Sequence, residues 1–264
     1  MATPLSIQLY TLRDEVQGDF AAVLRRVAEI GYKGVEFAGL HGHSPQEVAG
    51  IVGDLGLQVS SSHVGLPTAE TIRQIADTEK TLGNTRLVAG LGPNDFQTLD
   101  DCKRNAARFQ TAAELAKGEG MTFGMHNHWW EFETRDGKLV YDFVLESAPD
   151  IFSELDIYWA AYAGVSPASV VAKHGARLPL LHIKDGSLEK DSAMTAVGDG
   201  KVDIAGTIGA ADPERPPMAD CGAGPLRHGH VGGGAPELCL PDREGPGLGA
   251  TSNGGGRAGA SAAE

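Results

Sequence analysis

Apolar residues in this chain follow two alternating patterns, short continuous runs and longer stretches with helical spacing. Val23, Val27 and Ile30 share one helical face, and Gly31 stands where a left-handed residue often ends a helix. Residues 44–47, which read Ser-Pro-Gln-Glu, predict a helix start with a capping side chain, a first-turn proline and an acidic third position. The pattern predicts helices at residues 20–30, from residue 44, and at 69–82, 99–118, 141–146 and 168–174.

Seven short apolar runs lie between these helices and predict strands. They are residues 5–9, 34–37, 57–61, 85–89, 121–125, 151–155 and 178–181. Strict alternation of strand and helix implies a parallel sheet that is covered by helices. Two arrangements remain open at this point: a (β/α)8 barrel needs one more unit, whereas an open doubly wound sheet does not.

The positions of polar residues favour the barrel. Seven of them lie at or just past the carboxyl ends of six predicted strands: Gln8, Glu36, His63, His126, Glu131, Asp156 and His182. A barrel brings all these ends to one mouth, whereas an open sheet concentrates them at one switch point. The chain also has no Gly-x-Gly-x-x-Gly between a strand and a helix and no phosphate-binding loop. We therefore predict an α/β fold, a (β/α)8 TIM barrel.

Three of the later strand candidates end in groups that bind divalent metals. Glu131 follows the fifth strand, Asp156 ends the sixth, and His182 ends the seventh. A single histidine at a strand end is usually structural. The recurrence of such groups at helix-plus-strand spacing instead indicates one metal site, with Glu131 also a candidate proton-transfer base. The alternative for Glu131 is a carboxylate on the barrel rim, and Glu36 is a weaker candidate that would support the site.

Five further residues are candidates for substrate binding, and each has a structural alternative. His63, His126 and His128 could bind substrate hydroxyls or simply fill the barrel mouth. Lys184 could neutralise an oxyanion or a substrate phosphate, or could form a structural ion pair. Trp159 could offer an apolar wall to the C–H face of a sugar, or could pack without contacting a substrate.

Charge and composition narrow the possible partners and the compartment. The 264 residues include 22 Lys and Arg against 35 Asp and Glu, so the formal charge of −13 opposes binding to nucleic acid. Three cysteines without metal-type spacing suit a reducing compartment. No signal peptide and no membrane-spanning run are evident. We therefore expect a cytoplasmic protein that binds neither nucleic acid nor membrane.

The composition changes after Arg215. Residues 216–264 contain 13 Gly and 6 Pro, so the sequence predicts a barrel domain at residues 1–215 and a disordered tail at 216–264. Another reading frame of the same nucleotides, with permitted wobble letters, gives a buried-type strand ending in Glu-Leu-Asp and then an amphipathic helix. Our hypothesis is a frameshift within residues 212–217, which would leave the eighth strand-helix unit missing or disrupted.

The chain resembles the xylose isomerase-like TIM-barrel superfamily, and within it the sugar phosphate isomerase/epimerase branch that includes inosose dehydratase-like proteins. The matching segments are residues 7–14, 34–36, 62–63, 126–132, 154–160, 181–186 and 197–203. This resemblance implies four metal ligands at the ends of strands five to eight, of which Glu131, Asp156 and His182 are present. The fourth, a glutamate on strand eight, has no counterpart in the chain as written, so weak metal binding and impaired activity are expected.

The resemblance implies a metal-dependent isomerase or epimerase of a small sugar, keto sugar or cyclitol, with Mn²⁺, Co²⁺ or Mg²⁺ as cofactor. Glu131 would move a proton through an enediolate, with the strand-eight glutamate as its partner. A cyclitol dehydratase would share the first step. A metal-dependent abasic-site endonuclease is disfavoured by the charge of −13, and an inactive product of a broken gene stays open. The small polyol or sugar is the expected partner, and unpaired barrel edges would also favour a homo-oligomer.

Overall fold

Eight parallel strands form a closed barrel in the computed structural model, which describes residues 5–211 and 217–221. The strands are β1 (Leu5–Gln8), β2 (Gly34–Phe37), β3 (Gln58–His63), β4 (Arg86–Ala89), β5 (Thr122–His126), β6 (Phe152–Asp156), β7 (Leu180–Ile183) and β8 (Met218–Cys221). Neighbours in sequence are neighbours in space, and β8 lies between β7 and β1 to complete the ring. The predicted TIM barrel is confirmed.

The expectation that the eighth strand is missing is wrong. Strand β8 pairs with β7 from Met218↔Leu180 to Cys221↔Ile183, and with β1 on its other side. Closing the ring requires only a short segment whose backbone N–H and C=O groups can pair with both neighbouring strands. Residues 218–221 can do so, because they contain neither glycine nor proline. Because β8 pairs on both sides, the argument for self-association through unpaired edges of β1 and β7 no longer applies.

The remainder of the predicted tail, residues 222–264, lies outside the described residues, and so does any helix that follows β8. The tail and the frameshift hypothesis therefore stay predictions. Strand β8 falls at the place where the alternative reading frame also yields a strand, but in the chain as written it carries no glutamate.

Helices surround the barrel, and their boundaries follow from local chemistry. They are α1 (Phe20–Ile30), α2 (Pro45–Asp54), α3 (Ile72–Thr81), α4 (Leu99–Gly118), α5 (Val140–Ser147), α6 (Ile157–Tyr162), α7 (Pro167–His174) and α8 (Ile204–Gly209). Ser44 and Thr98 cap α2 and α4 in reciprocal capping boxes, and Gly31 ends α1 with a φ of 112°. The helical pattern did not predict α6 and α8, which have six residues each.

The apolar core fills the space between the strands and the helices. Its larger part packs α4 and α5 against the middle strands, with Phe109, Phe123 and Leu155 fully buried. A second cluster packs α1 and α2 against the first two strands. No helix in the described part of the chain is long and apolar enough to cross a membrane. The polar residues at the strand ends therefore lie outside this apolar core, in the barrel interior and at its mouth.

Arg177 ties the end of α5 to the loop before β6. Its guanidinium donates to three backbone carbonyls, those of Leu145 at 2.5 Å, Ala148 at 2.7 Å and Ile151 at 2.5 Å. The last carbonyls of a helix have no partner within the helix, so an external donor stabilises them. Arg177 supplies this donor to Leu145 and Ala148 at the end of α5, and also donates to Ile151 in the loop that follows.

We expect Arg177→Met to lower the free energy of unfolding by about 3 kcal/mol, because it leaves three partly buried carbonyls without their charged donor. Urea denaturation measures the change. Lys173→Met is the matched control, since that ammonium forms a surface ion pair with Asp142 and its loss should cost less than about 1 kcal/mol. Equal losses in the two variants would show that the carbonyl contacts contribute little.

Candidate functional site

Three histidines and one glutamate converge inside the mouth of the barrel. The ligand atoms of His63, His126, Glu154 and His182 all lie within 4.8 Å of one another. Glu154 Oε2 lies at the centre, 2.7 Å from His63 Nε2, 3.0 Å from His126 Nδ1 and 3.2 Å from His182 Nε2. These residues come from β3, β5, β6 and β7, so the closed ring of strands assembles the cluster.

A second buried carboxylate, Glu36 on β2, borders this cluster. Its Oε1 lies 2.9 Å from His182 Nε2 and 3.3 Å from His63 Nε2, and Ser61 donates to its Oε2 at 2.5 Å. Glu36 and Glu154 are both 0% exposed. Burial alone would lower the pKa of His182, but these two carboxylates outweigh it and raise that pKa well above its ordinary value. The same opposition leaves the pKa of His63 raised.

His126 behaves in the opposite way. Burial lowers its pKa well below the ordinary value, and the neighbouring His182 and His63 lower it further. The three imidazoles in the cluster therefore differ in electrostatic state although they share one carboxylate. Carboxylates raise the pKa of His63 and His182, whereas burial and the other two histidines lower the pKa of His126.

Asp156 ends β6 and is completely buried. Its Oδ2 accepts from Lys184 Nζ at 2.7 Å, and its Oδ1 accepts from the backbone N–H groups of Tyr158 and Trp159, which caps α6. Burial would raise the pKa of Asp156, but Lys184 holds it below its ordinary value, with smaller help from His126. Of the two roles considered for Lys184, the ion pair is present.

The predicted metal ligands are brought together only in part. Asp156 Oδ2 lies 4.0 Å from His182 Nδ1. Glu131 lies on a single turn of 3-10 helix, Trp130–Phe132, and its Oε2 accepts from the N–H of His128 at 2.8 Å. Within the described residues Glu131 forms no ion pair, and no hydrogen bond joins it to Asp156 or His182. Its side chain is 1% exposed, and this burial raises its pKa to about 8.

Aromatic rings line the side of the mouth that follows β5 and β6. His128 stacks on Trp130, with ring centroids 4.3 Å apart, and lies 6.3 Å from the ring of Trp159. Burial lowers the pKa of His128 to about 4, so its ring is neutral at physiological pH. His128 and Trp159, both predicted to contact substrate, thus form one wall beside the His/Glu cluster.

An open cavity of about 390 Å³ lies where β2 and β3 end. His63 reaches it from the cluster, so this ring faces both the buried carboxylates and solvent-accessible space. The other side chains around the cavity include Phe37, Leu40, Leu66, Ile75 and Glu79. The cavity is also lined by Gln74 and Thr78 of α3, so it lies between that helix and the ends of β2 and β3, and His63 is its contact with the cluster.

Glu154 is the residue that the sequence analysis missed as a site residue. It lies two positions before Asp156, and alternate residues of a strand point to the same face of a sheet. The order Ser153-Glu154-Leu155-Asp156 therefore already directed both carboxylates inward. That alternation was the available signal. Glu36 was given only a supporting role, yet it contacts two of the three histidines.

Comparison with known proteins identifies the family. A family model described as xylose isomerase-like TIM barrel matches residues 24–213. The chain belongs to this family. Comparison with curated proteins finds no match. Among solved structures it is similar to a sugar phosphate isomerase/epimerase from Parabacteroides distasonis ATCC 8503, with 25% identity, a TM-score of 0.67, and coverage of 84% of this chain and 86% of that one.

Two more distant structures share the fold. A D-allulose 3-epimerase from Methylomonas sp. has 19% identity and a TM-score of 0.63, covering 86% of this chain and 87% of that one. The IOLI protein with a bound zinc atom has 15% identity and a TM-score of 0.64, covering 83% and 87%. The resemblance stated from sequence is confirmed by the family match, and the first of the three structures is a sugar phosphate isomerase/epimerase.

The Lys184–Asp156 pair leads to a stability prediction. We expect Lys184→Met to cost about 3 kcal/mol of unfolding free energy, because a fully buried carboxylate loses its cation. Chemical denaturation of the metal-free protein is the measurement. In the control Lys201→Met, an exposed ammonium 3.5 Å from Glu189 is lost, so stability should change by less than about 1 kcal/mol. A Lys184→Met protein as stable as the control would mean that the buried pair does not form in solution.

Proposed function

We propose that this protein is a divalent-metal-dependent isomerase or epimerase of a small sugar, keto sugar or cyclitol. The observation that carries the proposal is the convergence of histidines and carboxylates at the mouth of a barrel of this family, beside an aromatic wall. Proton transfer next to a carbonyl needs three things: a base, stabilisation of the developing oxyanion, and a site that orients the substrate. Each has a candidate among the residues at the mouth.

The donors at the mouth suit a divalent ion. Glu154 Oε1 and His182 Nδ1 are buried and have no hydrogen-bond partner among the described residues. Buried polar atoms without partners are rare and point to a missing ion or donor. By resemblance the ligands would include Glu131, Asp156 and His182, and the 4.0 Å between Asp156 and His182 is within reach of a shared ion. Such an ion would polarise the substrate carbonyl and acidify the adjacent C–H.

The proposed roles of the chain's own residues follow from their positions. In its ionised form Glu131 takes the proton from the carbon next to the carbonyl, giving an enediolate, and the hydrogen bond from the backbone N–H of His128 holds the carboxylate in place. His63, His126 and His128 orient substrate hydroxyls. Lys184 stabilises the developing oxyanion from beside Asp156.

Trp159 and the ring of His128 would hold the substrate by its C–H face. Carbohydrate rings have apolar faces that pack well on aromatic side chains. The wall lies next to the His/Glu cluster, so a sugar packed on it would place its oxygens toward the polar centre. The cavity beside His63 leaves room for the rest of the molecule.

We expect Glu131→Gln to abolish proton exchange while sparing the fold, because an amide cannot accept the substrate proton. The measurement is deuterium uptake at the carbon next to the carbonyl of D-allulose in D₂O, followed by NMR, which also distinguishes epimer formation from loss of water. Glu133→Gln is the control. Glu133 pairs with Arg135 at the surface, so this variant should retain full exchange. Persisting exchange in Glu131→Gln would rule out Glu131 as the base.

The missing strand-eight glutamate leads to a second prediction. A chain whose reading frame is restored before codon 217 should bind Mn²⁺ more tightly and exchange protons faster, because it gains one anionic ligand. Titration calorimetry and the same exchange measurement compare the two chains. Sequencing the gene across codons 205–225 tests the frameshift itself. Equal metal affinity in the two chains would contradict the impaired-site hypothesis.

A further inference from the structure

The β7–α8 loop, residues 186–203, is folded around one buried carboxylate. Asp185 is 1% exposed and accepts four backbone N–H groups. Gly186 and Val202 donate to its Oδ1 at 2.8 and 3.1 Å, and Gly200 and Gly198 donate to its Oδ2 at 2.9 and 3.0 Å. Main-chain N–H groups that converge on one point form a binding site for an anion, and here the anion belongs to the chain itself.

The loop approaches this carboxylate as closely as a backbone can. A short antiparallel pairing joins residues 185–186 to residues 194–195. At Gly200 a Cβ would collide with Asp185 Oδ1 and with the backbone nitrogen of Gly186. Only glycine has no Cβ, so only glycine allows this approach. The carboxylate is therefore the point around which the loop closes.

Asp185 follows Lys184 directly, and their side chains lie on opposite sides of the backbone, as neighbours in an extended segment do. The ammonium of Lys184 reaches Asp156 at the barrel mouth at 2.7 Å, whereas the carboxylate of Asp185 faces the β7–α8 loop. The backbone of Lys184 is thus held between two fixed segments. Strand β7 ends at Ile183 on one side, and the anchored loop begins on the other.

The same loop packs against the first turn of α6. A Cβ at Gly186 would come within 2.9 Å of the ring of Tyr158, so the loop backbone lies directly on that ring. The N–H of Tyr158 donates to Asp156, and its ring centroid lies 5.0 Å from that of Trp159. A displacement of the loop would therefore reach both Lys184 and the aromatic wall.

We propose that Asp185 is a positioning residue of this site: by anchoring the β7–α8 loop, it holds Lys184 against Asp156 and the loop backbone against Tyr158. Catalytic side chains need supporting contacts that fix their geometry, and Asp185 supplies such contacts to a side chain that it does not touch. The inference deepens the proposed function and rests on it only for the part that Lys184 plays in catalysis. The position of Lys184 can be measured without any substrate.

Asp185→Asn tests the anchor, because an amide replaces one acceptor oxygen by an N–H₂ group that cannot accept from the loop. The full-length protein is treated with acetic anhydride, and mass spectrometry measures the labelling rate of Lys184 relative to that of the exposed Lys103 on α4. We expect labelling of Lys184 to become about tenfold faster, because losing hydrogen bonds to a charged group shifts the opening equilibrium of the loop.

Asp199→Asn is the matched control, since Asp199 is an exposed carboxylate of the same loop. It removes the same charge and should leave the labelling rate of Lys184 unchanged. An equal rate in Asp185→Asn and the unmodified chain would overturn the proposal, and so would an equal acceleration in the two variants.

A second variant displaces the loop without a change of charge. Gly200→Ala places a methyl group against Asp185, so we expect faster labelling of Lys184 here too. Gly209→Ala is its control, because a Cβ there meets nothing within 4 Å. In the unmodified chain the amide protons of Gly198 and Gly200 should exchange slowly with solvent. Fast exchange at these two amides would overturn the anchor even if both variants failed to fold.

Kinetics distinguish positioning from a general loss of structure. In the Mn²⁺-loaded protein we expect Asp185→Asn to lower kcat for D-allulose exchange about tenfold and to change KM by less than about threefold, since Lys184 acts on the oxyanion of the transition state. An active unmodified chain whose kcat is unaffected by Asp185→Asn would overturn the positioning role. Absence of exchange in the unmodified chain would overturn only the proposed function, because the labelling of Lys184 does not depend on it.

Discussion

Charge compensation inside the barrel mouth is the constraint on which the site depends. Three carboxylates, those of Glu36, Glu154 and Asp156, are completely removed from water. They are held in two ways: imidazoles contact the first two, and an ammonium and two backbone N–H groups hold the third. A buried carboxylate without such partners would be costly enough to unfold a domain of ordinary stability. Compensation of buried carboxylate charge therefore explains the positions of His63, His182 and Lys184 as much as a role in catalysis does.

Most of the barrel could be predicted from the sequence because its units repeat. Each of the first seven strands was located to within about two residues, since a short apolar run between amphipathic helices has few other interpretations. Helix α6 escaped prediction because it begins at Ile157, directly after the strand, with no loop to mark the change. Strand β8 escaped because four residues of ordinary composition lie within a segment rich in glycine and proline.

The site was predictable as a region but not as a set of partners. The sequence indicates that His63, His126, Asp156 and His182 lie at one mouth, because strand ends in a barrel converge. It does not indicate which oxygen faces which nitrogen, since that depends on the stagger between strands and on side-chain rotamers. Glu154 shows the limit clearly. One strand layer deeper than Asp156, it touches three histidines, whereas Asp156 is drawn toward Lys184.

The double attachment of Asp156 links two parts of the mouth mechanically. One oxygen holds Lys184, and the other holds the first turn of α6, which carries Trp159 in the aromatic wall. A ligand that drew the ammonium away would release the carboxylate to rotate, and the turn would lose its cap. The tilt of the tryptophan would change with it. Binding of a ligand at the polar centre and the shape of the apolar wall are therefore coupled in this barrel.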